Sequence, residues 1–108
     1  MNSIILDLYD VIKDRKDNID EKSYTSYLFN SGIDKILKKF GEEATEVIIS
    51  AKNNSKEEKV LEIGDLIYHL LVLMVESGVT LEEVEEELKK RRSKVNNLKD
   101  ERREIENL

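Results

Sequence analysis

The residues of this chain that could do chemistry are mainly acidic, and they occur in two short clusters. The first is Gly41-Glu42-Glu43-Ala44-Thr45-Glu46, and the second is Glu62-Ile63-Gly64-Asp65. Each cluster lies in a segment with helical apolar periodicity, and residues three or four positions apart on a helix are neighbours on its surface. The acids of each cluster therefore share one side of their helix. Because like charges so placed repel, either a cation lies between them or they face water.

A divalent cation is one interpretation, since two acid-bearing helices joined by a short turn pack antiparallel and can turn their acids toward each other. Carboxylate oxygens without thiolates or several imidazoles suit Mg²⁺, Mn²⁺ or Ca²⁺ rather than zinc. The chain has no cysteine and a single histidine, His69. Lys35 and Lys39 lie on the same helical face as the glutamates and would suit phosphate oxygens. This combination indicates metal-assisted phosphoryl chemistry.

The plainer interpretation is that these acids are the solvated faces of amphipathic helices, because charged residues make up 39% of the chain. Two features favour a metal site instead. One is a confined acidic wedge on an otherwise apolar helix, and the other is the position of the acids just off the core edge. A di-iron bundle is disfavoured, since it needs a Glu-x-x-His motif on two helices. We expect His69 to be a hydrogen-bonded residue at the core edge rather than a metal ligand. Neither a glycine-rich phosphate loop nor a Ser-His-Asp arrangement is present.

Helices must position these acids, because the chain has no proline and only four glycines. Apolar spacing predicts helices over residues 3–16, 23–29, 33–52, 56–77 and from 81 onward. Ser55-x-x-Glu58 and Thr80-x-x-Glu83 have the form of capping boxes. We therefore predict an all-α bundle of four or five helices. We expect residues 1–108 to form a single domain.

The segment 56–77 is apolar around most of its circumference, which predicts a central, buried helix. Its apolar surface is broader than one short bundle covers, so we expect a homodimer that shares helices across its interface. Gly64, on the apolar side, predicts the close approach of another helix. From residue 80 onward nine acids stand against eight bases. This near balance predicts a charged C-terminal helix that includes residues 93–108.

Charge and hydropathy restrict the partners and the compartment. The net charge of −6 argues against a nucleic-acid groove. The first residues carry no basic stretch and no long apolar run, so we expect no signal peptide. The longest apolar run, from Leu70 to Val75, is too short to span a membrane. We therefore expect a cytoplasmic protein with neither a nucleic-acid nor a membrane partner.

Together the motifs resemble the phosphoribosyl-ATP pyrophosphatase family of histidine biosynthesis, within the wider MazG-like all-α NTP pyrophosphatases. The wider pattern is Glu-Glu-x-x-Glu followed by Glu-x-x-Asp, and both acidic clusters match it. The narrower signatures are Ser23-Tyr24-Thr25-x-x-Leu28-Phe29, Lys39-Phe40-Gly41-Glu42-Glu43 and Asp65-Leu66-Ile67-Tyr68-His69-Leu70-Leu71-Val72-Leu73. The resemblance covers about residues 23–92.

The resemblance implies a MazG-like fold and Mg²⁺-dependent hydrolysis of phosphoribosyl-ATP to phosphoribosyl-AMP and pyrophosphate. The implied metal ligands are Glu42, Glu43, Glu46, Glu62 and Asp65. Glu43 or Glu46 would be the catalytic base. The implied substrate contacts are Ser23, Tyr24, Thr25, Lys35 and Lys39. Two alternatives stay open: a housekeeping NTP pyrophosphatase with the same metals, and a non-catalytic helical interaction module that uses the last helix.

Overall fold

The structure is a computed structural model that describes residues 2–94, and within that range it contains five α-helices and no strand. The helices are α1 (Asn2–Asp17), α2 (Tyr24–Ser31), α3 (Ile33–Ala51), α4 (Lys56–Ser77) and α5 (Leu81–Lys94). The prediction of an all-α fold with four or five helices is confirmed. The predicted charged helix over 93–108 falls mostly on residues 95–108, which lie outside the described residues.

Local hydrogen bonds explain where the helices begin and end. The Ser23 hydroxyl caps α2 by accepting from the Ser26 amide, and the Ser55 hydroxyl caps α4 by accepting from the Glu58 amide. Gly78 ends α4 with a φ of 73°, in the left-handed region that glycine adopts without strain. The predicted capping box at Ser55 forms only one of its two hydrogen bonds. The Ser55 amide donates to Asn53 Oδ1 instead of to the Glu58 side chain.

The chain divides into two compact units, one ending at Gly78 and one beginning at Val79. The second unit contains α5, which begins with a complete capping box: the Thr80 amide donates to Glu83 Oε1 at 2.9 Å, and the Glu83 amide donates to Thr80 Oγ1 at 3.2 Å. The Thr80 amide and the Thr80 hydroxyl both donate to Glu83 Oε1, and these two bonds lower the pKa of the Glu83 carboxyl. No side chain of α5 is buried. The prediction that residues 1–108 form one domain stays a prediction.

The first unit is built from α1 to α4. The closest packing is between α3 and α4, which form a helical hairpin around the turn at residues 52–55, and α1 and α2 pack against this hairpin. The core consists of apolar side chains from all four helices, namely Tyr9, Ile12, Leu28, Ile36, Leu71, Val72, Met74 and Val75. Among the described residues, no helix is long and apolar enough to cross a membrane.

The prediction that α4 is a central, buried helix holds within this chain for only part of the helix. Its C-terminal half supplies four of the core side chains, whereas Val60 and Leu61 in its N-terminal half are 64% and 62% exposed. The neighbouring helices of the same unit therefore leave part of the apolar surface of α4 uncovered. The predicted close approach at Gly64 is also not found, since a Cβ there would meet nothing within 4 Å among the described residues.

Candidate metal centre

Three acidic side chains meet on the helical hairpin. Glu43 of α3 and Glu62 and Asp65 of α4 each offer one carboxylate oxygen, and these three oxygens lie within 4.8 Å of one another. All three side chains are half-buried. We call this group the carboxylate cluster. Its members come from both acidic motifs, so the hairpin brings together residues that lie far apart in the sequence.

Helical phase explains why Glu43 faces α4. Glu43 lies seven residues after Ile36 and seven before Ser50, and residues seven apart lie almost on one line along a helix. Ile36 and Ser50 are both 1% exposed, so this line of α3 faces the core. Glu43 thus occupies a core-facing position, and its side chain is only 14% exposed.

The same reasoning applies to α4. Glu62, Asp65, His69 and Val72 follow one another at spacings of three, four and three residues, so they share one side of the helix. His69 and Val72 are buried. The core-facing side of α4 is therefore acidic toward its N-terminal half and apolar toward its C-terminal half, and the acids lie at the edge of the core.

The structure does not bring the other two predicted ligands into the carboxylate cluster. Glu42 and Glu43 are adjacent, so their side chains leave the helix about 100° apart and cannot both face α4. The Glu42 side chain is 50% exposed, and its Oε1 lies 3.5 Å from Lys39 Nζ. Glu46 is exposed. It is close enough to the cluster for its charge to act on Glu62.

Repulsion within the cluster is reflected in Glu62. Burial raises the pKa of the Glu62 carboxyl above the ordinary value of 4.5, and the negative charges of Glu46, Asp65 and Glu43 raise it further. A raised carboxyl pKa means that the surroundings disfavour the ionised form. A cation bound at the cluster would reverse this effect.

The two lysines predicted to bind phosphate have different surroundings. Lys39 Nζ lies 3.9 Å from Glu43 Oε1, at the edge of the carboxylate cluster. The pKa of Lys39 is raised, chiefly by its interaction with Tyr24 and also by Glu42 and Glu43. Lys35 Nζ lies instead 5.8 Å from the centre of the Tyr27 ring. A hydrogen bond from Lys35 is the main reason why the pKa of Tyr27 is lowered.

The predicted contacts on α2 are tied to α4 through side-chain hydrogen bonds. The Tyr24 hydroxyl lies 3.3 Å from His69 Nε2, and Thr25 Oγ1 is hydrogen-bonded to the Tyr68 hydroxyl. His69 Nδ1 lies 2.8 Å from the Asp65 carbonyl oxygen. The prediction that His69 is a hydrogen-bonded residue at the core edge is confirmed. Sequence reasoning missed its link to Tyr24, because the two residues belong to separate helices.

The fold and the site define a class of protein before any comparison is made. An all-α chain that gathers carboxylates on a helical hairpin, with a lysine beside them, has an acidic centre suited to a hydrated divalent cation and a phosphate ligand. The chain belongs to the phosphoribosyl-ATP pyrophosphohydrolase family, whose model matches residues 5–92. The family resemblance is thereby confirmed, and with it the prediction of a hydrolase.

Similar proteins support the same assignment. A phosphoribosyl-ATP pyrophosphatase of Clostridium novyi is 60% identical over 105 residues, which cover 97% of this chain and 96% of the relative. One of Lactiplantibacillus plantarum is 53% identical over 102 residues, covering 94% and 95%. A protein of Caldanaerobacter subterraneus named histidine biosynthesis bifunctional protein HisIE is 59% identical over 91 residues, covering 84% of this chain and 44% of that protein.

Proposed function

We propose that this protein hydrolyses phosphoribosyl-ATP to phosphoribosyl-AMP and pyrophosphate in histidine biosynthesis, with Mg²⁺ held by Glu43, Glu62 and Asp65. Membership of the family over residues 5–92 supports the substrate and the reaction. The observation that carries the metal assignment is the carboxylate cluster, whose three oxygens lie within 4.8 Å of one another.

The donor set of the cluster fits Mg²⁺. All three donors are carboxylate oxygens, which Mg²⁺ and Mn²⁺ prefer. Mg²⁺ holds its oxygens at 2.0–2.1 Å, so two oxygens on opposite sides of the ion are about 4.2 Å apart. Neighbouring oxygens around an octahedral ion are about 2.9 Å apart, so the three oxygens here, which lie within 4.8 Å of one another, would move closer together by rotation of their side chains. Three protein ligands also leave positions for water and for phosphate oxygens.

The reaction needs charge neutralisation and a place for a proton. When bound, Mg²⁺ would neutralise charge on the triphosphate and make the attacking water more acidic. Lys39 would donate a hydrogen bond to a phosphate oxygen, because its ammonium group lies at the edge of the cluster. Glu46 would accept the proton of the water, since its carboxylate lies outside the three-oxygen group but near enough to act on Glu62. Of the two bases considered from the sequence, we therefore favour Glu46 over Glu43.

The remaining substrate contacts are proposed from the surroundings of each side chain. Tyr24 is an exposed residue and Lys35 a half-buried one, and the charges of Lys35 and Lys39 both act on Tyr24, so we assign Tyr24 and Lys35 to the substrate. Ser23 uses its hydroxyl to cap α2, and Thr25 uses its hydroxyl to bond Tyr68. The assignment of Ser23 and Thr25 to the substrate stays a prediction from the family.

A turnover assay tests the proposal. The protein is incubated with phosphoribosyl-ATP and, separately, with a panel of NTPs and dNTPs, with Mg²⁺ or with EDTA, and pyrophosphate release is measured. We expect release from phosphoribosyl-ATP that requires the divalent ion. Faster release from ordinary nucleotides would favour the housekeeping pyrophosphatase, and no release from any nucleotide would favour the non-catalytic interaction module.

Two variants separate metal binding from proton transfer. Glu46→Gln should lose turnover but keep the increase in melting temperature that Mg²⁺ causes, because its carboxylate is outside the cluster. Asp65→Asn should lose both. If Glu46→Gln also abolished the Mg²⁺ effect, Glu46 would be a metal ligand rather than the base.

We further propose a homodimer that works in the cytoplasm, without a nucleic-acid or membrane partner. The α3–α4 hairpin carries an exposed apolar surface formed by Ile48, Ile49, Val60, Leu61 and Ile63, each at least 46% exposed. Apolar surfaces of this kind mark interaction sites. Gel filtration coupled to light scattering should give the dimer mass, and Ile48→Glu with Leu61→Glu should give the monomer. A monomeric wild-type protein would contradict this assignment.

A further inference from the structure

His69 makes two hydrogen bonds that identify the tautomer of its neutral imidazole. The backbone oxygen of Asp65 lies 2.8 Å from Nδ1 and can only accept, so Nδ1 carries a proton. In the neutral imidazole with this tautomer, Nε2 has a free lone pair and accepts a hydrogen bond. The Tyr24 hydroxyl, 3.3 Å from Nε2, is then the donor. The side chain is 6% exposed, so water has little access to compete for either bond.

This pair of hydrogen bonds connects the two sides of the candidate site. Asp65 supplies a carboxylate to the cluster through its side chain and an acceptor to His69 through its backbone. Tyr24 lies on α2, where its hydroxyl is within electrostatic range of Lys39 and Glu43. His69 therefore joins the helix that carries two of the cluster acids to the helix that carries a proposed substrate contact.

We propose that His69 is a positioning residue, which holds the Tyr24 hydroxyl at a fixed place relative to Asp65 before the substrate binds. The kinetic consequence of this inference rests on the proposed function, whereas its structural content does not. A side chain ordered in the free protein costs no further ordering when the substrate arrives. Tyr24 is bonded to His69 and is not part of the carboxylate cluster, so its contact would be made to a part of the substrate that does not react and would be equal in the ground state and the transition state. Its loss should raise KM and leave kcat unchanged.

A purely structural histidine would behave differently. The His69 ring also packs edge-on against the Tyr68 ring, with centroids 4.8 Å apart. If packing were its only role, substitutions would lower the melting temperature and the fraction of active protein, which lowers the apparent kcat without changing KM. Tyr68→Phe is a matched control, because Tyr68 also joins α2 to α4 through a hydroxyl, in its bond to Thr25, and phenylalanine keeps the ring that stacks against Tyr24 with centroids 6.3 Å apart.

Nitrogen NMR tests the hydrogen bonds without any substrate. The chain has one histidine, so a sample labelled with ¹⁵N-histidine gives one Nδ1 and one Nε2 resonance that need no further assignment by mutation. We expect a protonated Nδ1 and an unprotonated Nε2, and a shift of the Nε2 resonance toward that of a free lone pair in Tyr24→Phe. A proton on Nε2, or an Nε2 resonance that Tyr24→Phe leaves unchanged, would overturn the inference.

Steady-state kinetics then test the positioning role. An asparagine amide reaches the place of Nδ1 but not that of Nε2, whereas a glutamine amide reaches the place of Nε2. We expect Tyr24→Phe and His69→Asn each to raise KM about tenfold, which corresponds to about 1.4 kcal/mol and to one buried hydrogen bond. His69→Gln should restore KM to within about threefold of the wild-type value, because the glutamine amide replaces the bond to Tyr24 with a hydrogen bond of less favourable geometry. The double variant Tyr24→Phe with His69→Asn should be no worse than either single variant.

Three results would contradict the positioning role. In the first, the increases in KM of the two single variants multiply in the double variant. In the second, His69→Asn and His69→Gln have equal KM values. In the third, Tyr68→Phe raises KM as much as Tyr24→Phe does. If the wild-type protein did not hydrolyse phosphoribosyl-ATP, the proposed function would fail while the NMR result still decided whether the Tyr24–His69–Asp65 link exists. The two failures are therefore distinguishable.

Discussion

Asp65→Asn removes one of three like charges from the carboxylate cluster while nearly preserving the shape of the side chain. Two unit charges 4 Å apart repel by about 1 kcal/mol in water and about 4 kcal/mol at an effective dielectric constant of 20. Asp65 and Glu43 remain partly exposed, so water screens the repulsion between their oxygens, which lie within 4.8 Å, and the lower figure applies to this pair. Glu62 adds repulsion of the same sign. The metal-free variant should therefore be more stable than the wild-type protein by about 1 kcal/mol.

Thermal unfolding measures this stabilisation. A change of 1 kcal/mol shifts the melting temperature by about 4–8 °C in a domain of 60–100 residues. We expect the variant to melt higher than the wild-type protein in EDTA by about this amount. In Mg²⁺ the order should reverse, because only the wild-type protein keeps all three ligands, and the variant should have lost its turnover.

Asp10→Asn is the matched control for this experiment. Asp10 is exposed on α1 and lies outside the carboxylate cluster, so the same chemical change there should affect neither the melting temperature in EDTA nor turnover. The reasoning would be refuted if Asp65→Asn melted lower than the wild-type protein in EDTA. It would also be refuted if the variant kept its turnover and the full effect of Mg²⁺ on melting.

Three further predictions follow from the same contacts. The pKa of Glu62 is raised above 4.5 in the folded protein, so the folded state binds more protons than the unfolded state as the pH passes between the two values. The stability of the metal-free protein should therefore fall as the pH rises from 4.5 through that raised pKa, and urea titrations of Glu62→Gln should show a flatter dependence. Lys39→Met should raise KM for phosphoribosyl-ATP about tenfold, because one charged hydrogen bond is lost. Lys38 is exposed, and Lys38→Met should leave KM unchanged. Equal KM values for the two variants in steady-state kinetics would exclude Lys39 from the phosphate site. Ser55→Ala removes the cap of α4 and should cost about 1 kcal/mol in urea unfolding with no loss of activity per folded molecule.

Local information in the sequence was sufficient for the helices and for the family. Helical periodicity and the scarcity of helix-breaking residues predicted α3 and α4 to within one residue of their observed ends. Capping residues act over three or four positions, so Thr80 and Glu83 could be recognised as a capping box without knowledge of the fold. The order and spacing of the motifs identified the family that the comparison with the family model confirms.

The sequence also determined which acids were candidates, but not which of them meet. Spacing puts Glu43 and Glu46 on one side of α3 and gives no distance from either to α4. The heptad relation of Glu43 to two buried residues decides that Glu43 enters the cluster, and burial appears only once the helices have packed. Packing of the hairpin therefore brings oxygens of three of the five candidate acids within 4.8 Å of one another.

Two features were decided only by the tertiary structure, because each depends on elements distant in the sequence. Periodicity shows that the segment 56–77 is apolar around most of its circumference, but only packing decides that Leu71, Val72, Met74 and Val75 are buried while Val60 and Leu61 stay exposed. The bond between Tyr24 and His69 joins residues 45 positions apart. A sequence reports the chemistry of each residue and its local spacing, whereas contacts between helices depend on their packing, and here packing places Tyr24 beside the helix that carries Asp65.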